Sequence, residues 1–117
     1  MICKPIPKED CYELVEPLVF WVDYKRREAH AGFRFKGSIP KIFWSMVTNP
    51  YDPKCVRGFA IHDYLYETHL CSREAADIKL KQCLLNDGKD KETAETIFAT
   101  VRFVGSIAWR KKQCLKK

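Results

Sequence analysis

The sequence predicts an α+β protein, with an N-terminal antiparallel β-hairpin or small sheet packed on three C-terminal helices. Three observations carry this. Apolar and polar residues alternate with period two in the N-terminal third. From Asp52 onward, cap and stop residues divide the chain into three stretches, the last with apolar residues at helical spacing. The 117 residues, 46% hydrophobic and 31% charged, suffice for one folded domain and exclude a disordered or fibrous chain.

In chain order, residues 1–12 read as a Pro- and Lys-containing arm and 13–36 as a β-hairpin. Leu14 to Tyr24 is extended around the apolar run Leu18-Val19-Phe20-Trp21-Val22. Lys25-Arg26-Arg27-Glu28 reads as a polar turn. Ala29 to Phe35 follows as the second strand, with Ala29, Ala31, Phe33 and Phe35 alternating against His30, Gly32 and Arg34. Residues 37–51 form a loop and a short helix at Lys41 to Met46 that adds Phe43 and Trp44 to the core. The three-helix part spans 52–109. Asp52 followed by Pro53 opens the first helix, which runs to about His69. Ser72 caps the second, and Asn86-Asp87-Gly88 ends it, with glycine supplying the left-handed turn. Asp90 caps the third, where Ala94, Ile97, Phe98, Val101, Val104, Gly105 and Ala108 recur on one face. Arg102 stands off that stripe.

The charge is localised. The net charge is +6, but the tail 110–117 holds five basic residues and no acid, which leaves the body nearly neutral. Such a tail offers weak contact with anionic lipid or nucleic acid, or else serves as a solubilising helix end. The six cysteines form no CxxC pair. With no secretory leader in view they read as core fillers in a reducing compartment. No apolar run reaches the roughly 18 residues of a membrane span.

Reactive side chains concentrate in Ile61-His62-Asp63-Tyr64-Leu65-Tyr66-Glu67-Thr68-His69. On a helix, His62, Tyr66 and His69 share a face, with Asp63 turned by about 100° from His62. Asp77 lies at the edge of an apolar stripe in the second helix and requires a partner. His62 lies roughly 10 Å before the interhelical turn and Asp77 roughly 7 Å after it, at 1.5 Å per residue. Antiparallel packing therefore brings them to similar depth. Asp77 would orient one imidazole nitrogen and leave the other to act as a base. The same cluster also reads as a satisfied polar plug between helices. A zinc site from His62, His69 and Cys71 is a further alternative, at a spacing that fits no common zinc motif.

The HDxxY sequence, with an aspartate on the following helix, resembles the catalytic helices of phospholipase A2. The resemblance implies His62 as the base, Asp63 as a calcium ligand, and Tyr66 and Asp77 as supports of the histidine. The glycine-rich calcium loop of that family is not found; Phe35-Lys36-Gly37-Ser38 is the one candidate segment.

A wider resemblance runs through Leu14-Val15-Glu16-Pro17, Ala31-Gly32-Phe33, Gly37-Ser38-Ile39-Pro40-Lys41-Ile42-Phe43-Trp44, Ala60-Ile61-His62-Asp63-Tyr64-Leu65-Tyr66, Ser72-Arg73-Glu74-Ala75-Ala76-Asp77 and Val101-Arg102-Phe103-Val104-Gly105. In order and spacing the chain resembles the phage and bacterial family called domain of unknown function 1353. Members of that family carry an aspartate shortly before the Ser-Ile-Pro loop, where this chain has Arg34-Phe35-Lys36-Gly37. The resemblance implies a phage- or prophage-derived protein located in the host cytoplasm or the virion. The expected site combines catalytic His62, Asp77 and Tyr66 with substrate-binding Ser38 and Arg73 and a metal-binding Asp63. Its enzymatic form is a hydrolase acting on lipid or cell envelope. Its non-enzymatic form is a virion, tail-associated or host-interaction protein, with virion or host-envelope components as partners.

Overall fold

A computed structural model describes residues 3–6, 8, 11–36 and 52–115, with side chains as far as residue 110. The fold is α+β, as expected, with five short strands followed by three helices. The strands are β1 (Cys3–Ile6), β2 (Cys11–Leu14), β3 (Leu18–Val22), β4 (Lys25–Ala29) and β5 (Arg34–Phe35), and the helices are α1 (Val56–Thr68), α2 (Arg73–Asn86) and α3 (Lys91–Leu115).

The strands form two antiparallel sheets rather than one hairpin, ordered β1-β2-β5 and β3-β4. The expected N-terminal arm is in part strand β1, paired Cys3 to Leu14 through Ile6 to Cys11. Pro5 is compatible with this because β1 lies at the sheet edge, where alternate N–H groups face away from the ladder. The expected turn at Lys25 to Glu28 is also corrected. These residues belong to β4, and the chain reverses at Asp23 and Tyr24, both with positive φ, between the paired residues Val22 and Lys25. Two left-handed residues give a turn whose twist matches that of a β-ribbon. Lys25 and Arg26 are exposed, so their charge is compatible with a strand. Along β3, Leu18, Phe20 and Val22 point inward while Val19 and Trp21 stay exposed. The expected second strand, Ala29 to Phe35, is interrupted at Ala31 and Gly32, where Gly32 has a φ of 91°. Ala29, Phe33 and Phe35 are buried as read, but Ala31 is exposed.

Helix α1 starts three residues later than Asp52-Pro53 suggests. Asp52 forms a turn instead, its carboxylate accepting from the Lys54 N–H and its carbonyl from those of Cys55 and Val56. The other caps follow expectation. The Ser72 hydroxyl accepts from the Ala75 N–H, and Asp90 accepts from the N–H and hydroxyl of Thr93. Past α2, Gly88 adopts a φ of 97°. Arg57 grips Asp87 with two nitrogens, at 2.9–3.2 Å, and ties the start of α1 to the end of α2. Helix α3 continues through the first part of the basic tail as far as Leu115.

Helix α1 is apolar on two sides. Ala60, Ile61 and Leu65 join Leu14, Leu18, Phe20, Phe33 and Phe35 in the core beneath the sheets. Cys55 and Phe59 join Leu80, Leu84, Ala94, Ile97 and Val101 in a second core among the helices. Cys11, Cys55 and Cys83 are buried and unbridged, as core-filling thiols are. Burial pushes the Cys55 and Cys71 thiols up to about 11, well away from reactive thiolate character. The expected short helix over Lys41 to Met46 lies outside the described residues.

Candidate functional site

Asp77 faces α1 from α2 and is fully buried, at 0% exposure. A lone carboxylate at that depth would be strongly unfavourable. The neighbouring helices supply its partners. From α1, His62 Nε2 hydrogen-bonds Asp77 Oδ1 at 2.6 Å and the Tyr66 hydroxyl donates to the same oxygen at 2.7 Å. From α3, Arg102 donates to Oδ2 at 2.8 Å. Arg73, one turn before Asp77 on α2, approaches Oδ2 at 3.6 Å. His62 is also at 0% exposure and Tyr66 at 1%. The predicted meeting of His62, Tyr66 and Asp77 is therefore realised inside the protein. An ionised carboxylate only accepts, so Nε2 carries the hydrogen of this bond.

Burial works against ionisation of Asp77, but the hydrogen bond and charge of His62, with the donors of Tyr66 and Arg102, outweigh it and hold the carboxyl below its usual range. Burial and the hydrogen bond to Asp77 raise the Tyr66 phenol, so Tyr66 acts as a donor and not as a phenolate. A carboxyl lowered by folding stabilises the native state above its unfolded pKa, and that stabilisation disappears as pH falls through the lower folded value. Melting temperature is therefore expected to drop below about pH 4, and Asp77→Asn to show a shallower acid limb in calorimetry.

The cluster closes on its other sides with rings and backbone. Tyr66 lies against His62, with ring centroids 4.3 Å apart, and meets the edge of Trp109 at 5.1 Å. His69, the left-handed C-cap of α1, stacks flat on Trp109 at 3.6 Å. Gly105 leaves the space occupied by the Tyr66 hydroxyl, which a Cβ there would overlap.

The remaining predicted residues fare differently. Arg73 was expected to bind substrate, but it is committed inward. Besides Asp77, its guanidinium donates to the Val101 and Arg102 carbonyls at 3.4 and 3.3 Å. Asp63 does not join the Asp77 cluster; its carboxylate accepts the Lys36 N–H at 3.1 Å. Ser38 lies outside the described residues. Among the described residues no group of three or more His, Cys, Asp or Glu side chains is placed to hold a metal ion. Of the residues in the zinc alternative, His62 gives its Nε2 to Asp77, while the face of the His69 ring stacks on Trp109.

Arg102 is the member that sequence reasoning missed, having been read only as a charge beside the apolar stripe. A signal was present: it is the single charged residue between Glu95 and Arg110, on the helix that must cover α1 and α2. Surface grooves occur elsewhere. One lies between Trp21, Tyr24, Ile78 and Lys79, one at Thr96, Ala99, Thr100, Phe103 and Val104, and one at Pro53, Val56, Arg57 and Asp87. None of these three is lined by His62, Tyr66 or Asp77.

No curated protein and no solved structure matches the chain. A family model does, over residues 12–101, a span that holds β3 to β5, most of β2, helices α1 and α2 with the His62–Asp77 pair, and α3 as far as Val101; β1 and the α3 residues Arg102, Gly105 and Trp109 lie outside it. The matched span is well over half of the chain, and the protein belongs to the family described as "Protein of unknown function (DUF1353)".

Proposed function

We propose that this is a phage- or prophage-derived protein that acts by binding, as a virion-associated or host-interaction component, and that its His62–Tyr66–Asp77–Arg102 cluster is a structural lock. The observation that supports this is the complete burial of His62 and Asp77, with both carboxylate oxygens taken by side chains of this chain. A general base must reach the proton that it removes. A sealed imidazole on a saturated carboxylate instead contributes specificity and rigidity to helix packing.

One observation favours a second reading, a hydrolase acting on lipid or cell envelope. His62 and Tyr66 share one oxygen of Asp77, the support arrangement that the phospholipase A2 resemblance implies. A single experiment separates the two. His62→Ala is expected to lower the melting temperature by about 5–15 °C, because it leaves Asp77 short of a donor and opens a cavity. The unaltered protein is expected to show no turnover of phospholipid vesicles or soluble esters above the blank. Turnover that His62→Ala abolishes while the melting temperature holds would establish the hydrolase instead.

A further inference from the structure

We propose that the outward face of α3 docks on an anionic lipid bilayer, lying in the headgroup plane. This goes beyond the binding role above and does not depend on whether the buried cluster is a lock or a catalytic site. Two independent observations meet on this helix. The first is apolar exposure. Phe103 is 85% exposed and Ile107 70% exposed, one turn apart on the same face, beside the shallow groove of Thr96, Ala99 and Thr100. The second is charge. No acid occurs from Thr96 to Lys117, while Arg102, Arg110, Lys111, Lys112, Lys116 and Lys117 do. Arg102 is consumed by Asp77, so five cations near the helix end have no acid in the same segment to offset them.

The continuity of α3 joins these observations. The helix runs unbroken to Leu115, so Arg110, Lys111 and Lys112 follow Ile107 on the same rod, within about 8 Å at 1.5 Å per residue. Large apolar side chains followed by clustered cations on one helix are the pattern of an interfacial helix. The apolar residues enter the boundary between headgroups and acyl chains, and the cations hold the anionic surface. Charge selects the occupant. A second copy on this face would bring the same positive excess, whereas an anionic bilayer complements it. No described helix is long and apolar enough to cross a membrane, so contact would be lateral.

Co-sedimentation of the full chain with vesicles tests this. Binding is expected to mixed phosphatidylglycerol–phosphatidylcholine vesicles, to weaken as salt is raised, and to be slight with phosphatidylcholine alone. The pair Phe103→Ser and Ile107→Ser is expected to weaken binding by about ten- to a hundredfold. Because both residues are exposed, circular dichroism and melting temperature should not change. Lys111→Gln with Lys112→Gln should weaken binding to the anionic vesicles without altering the small affinity for neutral ones. Unchanged binding by the serine pair, or no binding by the unaltered chain, would overturn the proposal. So would a dimer in light scattering that the serine pair dissociates, since the face would then belong to a second copy. Equal loss of vesicle and single-stranded DNA binding in the lysine variant, with no effect of the serine pair, would assign the segment to nucleic acid instead.

Discussion

Asp77→Ala is expected to lower the melting temperature by about 10–25 °C, which corresponds to about 3–5 kcal/mol for breaking a buried ion pair in a domain of this size. The size of the effect comes from what the substitution leaves behind. His62 and the Tyr66 hydroxyl stay buried, with the oxygen that they share gone. The Arg102 and Arg73 guanidiniums lose their carboxylate, although both retain some exposure and can recover water. The natural comparison is Asp87→Ala, which removes the partner of Arg57 at a site where the two side chains are 31% and 22% exposed. That substitution is expected to cost about 1 kcal/mol or less. Denaturant or thermal unfolding of the two variants side by side gives the test. If Asp77→Ala costs no more than Asp87→Ala, the cluster does not hold the helices together.

Gly105→Ala is the second substitution with a large expected effect, and its sign is informative. Helix propensity alone predicts that alanine stabilises an interior helical position by about 1 kcal/mol. The structure predicts the opposite. A methyl group at 105 would overlap the Tyr66 hydroxyl and lie 3.2 Å from Arg73 Nη1. Tyr66 cannot easily withdraw, since its hydroxyl is bonded to Asp77 and its ring is held between His62 and Trp109. Overpacking of this kind costs about 1–3 kcal/mol. Combining Gly105→Ala with Tyr66→Phe removes the atom that obstructs the methyl. The double variant is expected to be more stable than the sum of the two single losses by about 0.5 kcal/mol or more. Urea midpoints of the four proteins measure this coupling. A stabilising Gly105→Ala would mean that α3 does not approach Tyr66 this closely.

The helix boundaries of the C-terminal half were legible because their signals are local. Ser72, Asp90 and Gly88 act within a few residues of themselves, and each caps or terminates a helix where its chemistry requires. The start of α1 was misplaced because an aspartate followed by proline favours a tight turn as readily as a helix cap, and here it makes the turn. The N-terminal half was less legible for a related reason. The Asp23-Tyr24 reversal lacks the Asn-Gly or Asp-Gly pair that usually marks such turns. The exposed cations after it resemble a loop in composition although they pair as a strand. Strand β1 contains a proline and few apolar residues, and only the presence of β2 shows that it is a sheet edge.

The sequence by itself determined the α+β order and the equal depth of His62 and Asp77 on consecutive antiparallel helices. Helical rise and periodicity depend on residue spacing alone, so that pairing could be calculated from position. Only the tertiary structure decided whether the pair lines an open cleft or a sealed interior, and which cation balances the acid. Burial and charge compensation depend on how α3 closes over α1 and α2, through contacts between residues distant in the chain. Arg102 reaches Asp77, and Gly105 makes room for Tyr66, only once that third helix is in place.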